Sequence, residues 1–230
     1  MLRCEEITVT FGSTRALDRV SLSIGAGESV SIMGASGSGK STLLQCLAGL
    51  RAPESGGVWF DGQALHEMSE KRRSQVRLRD FGFVFQFGEL VPELSLLENV
   101  ALPVWMGGMS RSKANRQASD ALERFGIADL AGRRPSDVSG GEQQRAAVAR
   151  ALAHSPKVVF ADEPTGALDS VNAQTVLEAL TDQARAQGSA VVMVTHEARL
   201  ASFCDREIVV RDGAVVGDDL DERLAARSVQ

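Results

Sequence analysis

The stretch Gly34-Ala35-Ser36-Gly37-Ser38-Gly39-Lys40-Ser41 has the form G-x-x-x-x-G-K-[ST], a phosphate-cradling loop. Before it, Glu28–Met33 reads as a short buried strand. After it, Thr42–Ala48 reads as an amphipathic helix closed by Gly49. That strand–loop–helix setting is what the chemistry needs. The glycines let successive backbone N–H groups converge on phosphate oxygens, and the helix N-terminus adds partial positive charge. Lys40 is expected to reach the β- and γ-phosphates and the Ser41 hydroxyl to ligate Mg²⁺, with Thr42 beside it at the helix start. The stretch implies an α/β fold that holds a nucleoside triphosphate.

Composition narrows the partners. The chain has 230 residues, enough for one large α/β domain or a core with an inserted lobe. A net charge of −5, no tyrosine and 5% aromatics argue against a nucleic-acid partner. Cys4, Cys46 and Cys204 are odd in number and widely spaced, so free thiols in a reducing compartment are expected. The N-terminus lacks the apolar region of a signal peptide, and no window holds 18 uninterrupted apolar residues. A cytoplasmic protein is expected, whose membrane role needs a partner.

Along the chain, Leu2–Phe11, Ala16–Ile24 and Glu28–Met33 read as strands, followed after the loop and helix by Val58–Phe60 and Phe81–Phe85. The basic run Lys71–Arg79 reads as a solvated helix face. From Ser95 to Ala153 the pattern becomes helical: a Ser95/Glu98 capping box opens Leu96–Met106, a second helix runs from Ser110 to about Phe125, and a third begins near Glu142. Strands return at Val158–Asp162, Ala190–Thr195, Ile208–Arg211 and Ala214–Val216, with a helix over Ala173–Gln187 and a short one over Leu220–Arg227. This gives an α/β core over about 1–87 and 155–218, a helical insertion over about 88–154, and a short terminal helix in 219–230.

The apolar strand Val158–Ala161 ends in Asp162-Glu163, and strands of doubly wound folds deliver such groups to the ligand crevice. Asp162 is expected to hold the Mg²⁺ hydration shell and Glu163 to orient and deprotonate the attacking water. Gln86, ending the Phe81–Phe85 strand, is a candidate for Mg²⁺ and the water; His196, ending the Ala190 strand, is a candidate γ-phosphate contact. Val138-Ser139-Gly140-Gly141-Glu142-Gln143-Gln144-Arg145 places a serine and two glycines at a helix start, a second anion-binding N-terminus.

With that stretch, the whole chain resembles the ATP-binding subunits of ABC transporters. Walker A, the glutamine loop Phe85-Gln86, the signature Ser139-Gly-Gly-Glu142, Walker B with Glu163, the D-loop Ala167-Leu168-Asp169 and the switch His196 stand in family order. The resemblance implies a P-loop NTPase core of RecA-like, mostly parallel sheet, with an N-terminal antiparallel β-subdomain and an inserted α-helical subdomain. It implies ATP and Mg²⁺ as cofactors and Mg²⁺-dependent ATP hydrolysis. It also implies a head-to-tail pair of subunits, in which Ser139, Gly140 and Gly141 of one contact the γ-phosphate held by the other, with Asp169 at the same interface. Phe11 stands where an adenine-stacking aromatic, more often tyrosine, is found. Val138 replaces the usual leucine and Glu142 the commonest glutamine, and neither removes a phosphate-facing group.

Gln86–Val100 and Ala161–Ser170 resemble one branch of that family. It serves macrolide and lipoprotein exporters, antimicrobial-peptide resistance pumps and the cell-division pair that regulates wall hydrolases. The resemblance implies a separate transmembrane permease engaged near Leu90–Val104, and a place on the inner face of the membrane. Its output is export or mechanical transmission; the alternative is an ATPase that gates an extracytoplasmic enzyme or sensor and moves no solute. DNA-repair relatives carry a long coiled coil and translation relatives two cassettes, and neither feature is present. A small P-loop kinase is disfavoured by Ser139-Gly-Gly and by Asp162-Glu163.

Overall fold

Among the residues that the computed structural model describes (1–86, 89–166, 168 and 170–218), elements follow in this order. They are β1 (Leu2–Phe11), β2 (Thr14–Ile24), β3 (Ser29–Met33), α1 (Lys40–Leu47), β4 (Ser55–Phe60), β5 (Gln63–Ala64), α2 (Glu70–Asp80), β6 (Phe81–Phe85), α3 (Leu96–Met106), α4 (Arg111–Arg124), α5 (Gly140–Leu152), β7 (Val158–Asp162), α6 (Ser170–Gln187), β8 (Ala190–Val194), α7 (Ala198–Ala201), β9 (Arg206–Arg211) and β10 (Ala214–Asp218). They form two compact units, Met1–Arg73 with the chain from Ala190 onward, and Ser74–Ser189.

The first unit carries an antiparallel sheet of order β2-β1-β4-β5. Its β1 buries Leu2, Cys4, Ile7 and Val9 on one side, the alternation of a half-buried strand. The unit also holds β3 between β8 and β9, parallel to both, with β10 antiparallel on β9. All five residues of β8 are buried, as strands covered on both faces require. Leu43, Leu44, Cys46 and Leu47 of α1 are buried as well. Arg206 is a charge inside this unit: it is 4% exposed and pairs with Glu28 at 2.6 Å and Asp218 at 2.8 Å.

In the second unit β6 and β7 run parallel, with Phe160 edge-on to Phe81 at 5.1 Å and stacked on Phe83 at 5.7 Å. Helix α3 packs against α4 and α5. The Ser95/Glu98 capping box is formed. Asn99 is fully buried; its amide donates to the Val91, Leu94 and Ser95 carbonyls and accepts from the Val91 N–H. Ala114, Ala118 and Ala121 put the small-residue face of α4 inside.

Several boundaries move from the sequence reading. β2 begins at Thr14 because it pairs with Phe11 across the turn, and α5 begins at Gly140 because Ser139 caps it. α7 and β5 were not foreseen. The terminal helix expected over 220–227, and Ala167 and Asp169 of the D-loop, lie outside the described residues. Among the described residues, no helix is long and apolar enough to cross a membrane.

Candidate active site

In the first unit the phosphate loop leaves β3 and enters α1, whose N-cap Gly39 has φ 106° and no side-chain cap. The first N–H groups of α1, at Lys40, Ser41 and Thr42, therefore have no acceptor inside the helix. A Cβ on Gly34 would stand 2.1 Å from the Val210 carbonyl oxygen, and one on Gly39 would stand 2.3 Å from that of Ala16. The loop is thus wedged against β9 and β2 by backbone alone. At Gly37, φ 77°, a Cβ would meet nothing within 4 Å, so the middle of the loop faces open space beside Ala35 and Ser36, which are exposed. Lys40 is 7% exposed, and its Nζ donates to the Ala35 carbonyl at 2.7 Å. Ser38 is 5% exposed, and its buried Oγ has no hydrogen-bond partner among the described residues. An ammonium folded over the loop, backbone donors at a helix start and an unengaged hydroxyl suit a triphosphate. Ser41, exposed at the helix start, is an oxygen donor of the kind Mg²⁺ takes alongside phosphate and water.

His196 reaches the same strand edge. β3 and β8 pair Ile32 with Val194, so Gly34 and His196 each lie two residues beyond that pair, and the Thr195 N–H donates to the Ile32 carbonyl at 3.3 Å. Phe11 ends β1 and is 46% exposed, so its ring is not packed in the core. The Arg51 guanidinium sits 4.5 Å from its ring centroid.

The second unit assembles the other group. β6 and β7 pair Phe85 with Asp162, so Gln86 and Glu163 each follow that pair by one residue at the same strand edge. Glu163 has φ 47°, in the left-handed region, and its carbonyl accepts from the Gly166 N–H at 3.1 Å. A Cβ on Gly166 would lie 2.7 Å from Gln86 Nε2, so this turn and the glutamine side chain approach closely. Ser139 and Gly140 are exposed at the opening of α5, Gly141 less so, and among the described residues nothing lies within 4 Å of a Cβ built on Gly140. Asp169 lies outside the described residues.

Two contacts beside candidate site residues escaped the sequence reading. Arg51, against Phe11, sits beyond the end of α1 with no motif to mark it. Gln144 is 3% exposed and donates to the carbonyls of Phe85 and Pro164. Its signal is weak but present: Gln144 falls on the buried face of α5, three and four residues before Ala147 and Val148.

Residues 17–166 match the ABC transporter family. The chain is 46% identical over 200 residues to the lipoprotein-releasing system ATP-binding protein LolD of Shewanella denitrificans, covering 87% of this chain and 86% of that one. It is 43% identical over 218 residues to the protein of the same description in Bacteroides thetaiotaomicron, covering 95% and 100%. Among solved structures it is similar to a dimeric post-hydrolysis state of the ATP-binding cassette MJ0796 bound to ADP and Pi. There the TM-score is 0.87 at 37% identity, covering 95% and 97%. These likenesses agree with the macrolide- and lipoprotein-exporter branch and with the α/β P-loop NTPase fold. The chain belongs to the ABC transporter family as one of its ATP-binding subunits, a Mg²⁺-dependent ATPase.

Proposed function

We propose that two copies of this chain close head to tail on ATP and so drive a separate transmembrane permease, in release or export of a lipid-modified or hydrophobic substrate. The observation that carries this reading is the opening of α5. Ser139 and Gly140 are exposed at a helix N-terminus, and no described residue stands within 4 Å of a Cβ built on Gly140, so a second subunit's γ-phosphate can approach. The relatives named for lipoprotein release, and the dimeric solved cassette, support the same reading. In it Lys40 and the loop N–H groups bind the phosphates, Ser41 and Asp162 hold the metal shell, and Gln86 orients the water. Glu163 takes its proton, His196 contacts the γ-phosphate, and Phe11 supports the base. Mg²⁺ supplies charge neutralisation between the phosphates when bound.

The permease contact is placed at Leu90–Val104 and the helix end beyond it. Just beyond Val104, Trp105, Met106 and Met109 are 49%, 61% and 37% exposed. Such a contact would hold the subunit on the inner face of the membrane. The test is Glu163→Gln in the purified chain. Turnover should fall at least about a hundredfold, a loss of general-base catalysis, while ATP drives a stable dimer seen by sedimentation. An unchanged rate refutes the assigned base, and recovery of tagged chain with ribosomes in place of a membrane protein refutes the partner.

A further inference from the structure

Gln144 lies on α5, five residues beyond Ser139, with its side chain inside the protein. Its Nε2 donates to the Phe85 carbonyl at 3.0 Å and to the Pro164 carbonyl at 2.5 Å. Phe85 immediately precedes Gln86, and Pro164 immediately follows Glu163. Both donors of one buried amide are therefore engaged by the backbone beside the two residues read as water-orienting groups. A primary amide is suited to this, since two N–H groups diverge from one nitrogen; an ionised carboxylate offers none. Glu163 needs such support. At φ 47° it holds a conformation that persists in a non-glycine residue only where the surroundings over-determine it. The Gly166 N–H closes the turn from one side, and Gln144 holds the Pro164 carbonyl from another.

We propose that Gln144 is a positioning residue for hydrolysis. Its amide clamps the strand end that carries Gln86 to the turn that carries Glu163, and joins both to the helix opened by Ser139. The proposal rests on the reading that Gln86 and Glu163 act in hydrolysis. It gives the signature helix a second task. Ser139 and Gln144 are about 7.5 Å apart along a rigid helix, so a phosphate engaged at the helix start is linked mechanically to the turn that holds the base.

Gln144→Met keeps the volume and removes both donors, while Gln144→Asn keeps the donors one methylene short. In the full chain, Gln144→Met is expected to lower kcat at least about tenfold, the scale of loss when groups that orient the reacting water shift from their aligned positions. The KM for ATP should stay within about twofold, and the Mg²⁺ concentration for half-maximal rate should rise, because Gln86 and Asp162 flank the loosened backbone. Gln144→Asn should fall between; if the Met variant does not fold, it carries the same measurements. A residue that only packs the core would shift the melting temperature and leave both the kcat-against-KM split and the Mg²⁺ requirement unchanged, and that result overturns the proposal. Glu163→Gln is measured beside it. If Glu163→Gln leaves kcat intact, the hydrolysis reading beneath the proposal fails; if kcat falls there but not in Gln144→Met, the positioning role alone fails. The double variant should be no slower than Glu163→Gln.

Discussion

The Ser139 hydroxyl donates to the Glu142 carboxylate at 2.8 Å, and the same carboxylate oxygen accepts the Ser139 N–H at 2.8 Å. The Glu142 N–H points back to the Ser139 Oγ at 3.4 Å, which completes a capping box. The hydroxyl proton is therefore held by a carboxylate at the helix start where a phosphate is expected. The box preorganises α5, but it sets a negative charge beside an anion site. Glu142→Gln preserves a glutamine-type box and removes that charge. We expect ATP-driven dimerisation, measured by sedimentation in a Glu163→Gln background, to require a few-fold less ATP in this variant, the scale of one charge at a helix end. The difference should shrink at high salt. A higher ATP requirement contradicts the argument.

The same box recurs at Ser95 and Glu98, with a consequence for acid stability. The Ser95 N–H, then its hydroxyl, hold the Glu98 carboxyl below its ordinary 4.5. A folded pKa below the unfolded one adds stability that is fully present above the unfolded value and lost as pH falls through the folded value. Urea unfolding of Ser95→Ala should therefore show its full loss near neutrality. The gap to the parent chain should narrow as pH drops below 4.5. A gap that persists unchanged in strong acid refutes the assignment.

Phe11 and Arg51 form a cation–π pair at 4.5 Å on the protein surface. A guanidinium on one face of a half-exposed ring restrains its rotamers and offers the base a fixed surface. Phe11→Ala should weaken ATP binding while leaving tripolyphosphate binding unchanged. Arg51→Ala should raise the KM for ATP about two- to fivefold, the range of an exposed cation–π contact. A fall in KM on Arg51→Ala would show that the guanidinium covers the base-binding face.

What the sequence shows and what it hides divide along the range of the interactions. The strand–loop–helix of Glu28–Ala48 and the Ser95/Glu98 box are local patterns, complete within a few residues, and each is formed. The Val158–Ala161 run of β7 is legible because a strand segment buried on both faces must be apolar. Gln144 is hidden because its partners are backbone carbonyls 59 and 20 residues away, and a carbonyl carries no side-chain code. Arg206 misleads for the opposite reason. As a charged residue it reads as loop, and the sequence pattern starts the strand at Ile208. Glu28 and Asp218 neutralise it inside the first unit, so the strand begins two residues earlier.

Three glycines of the phosphate loop should respond differently to one added methyl. At Gly39, φ 106°, the methyl carbon would sit 2.3 Å from the Ala16 carbonyl oxygen, and at Gly34 it would sit 2.1 Å from that of Val210. Neither neighbour is a flexible side-chain end, so the backbone itself must shift. Gly39→Ala and Gly34→Ala should each cost several kcal/mol of stability, in the range of overpacking plus a strained backbone. At Gly37, φ 77°, there is no neighbour within 4 Å. Gly37→Ala should cost only the left-handed penalty, about 1–2 kcal/mol, and place its methyl in the open space over the loop. Chemical denaturation should therefore rank Gly37→Ala as the mildest of the three. ATP binding, measured by calorimetry on the folded variant, should still fall, because that open space is where the phosphates are read to lie. A Gly37→Ala chain that binds ATP like the parent would move the phosphates away from the centre of the loop.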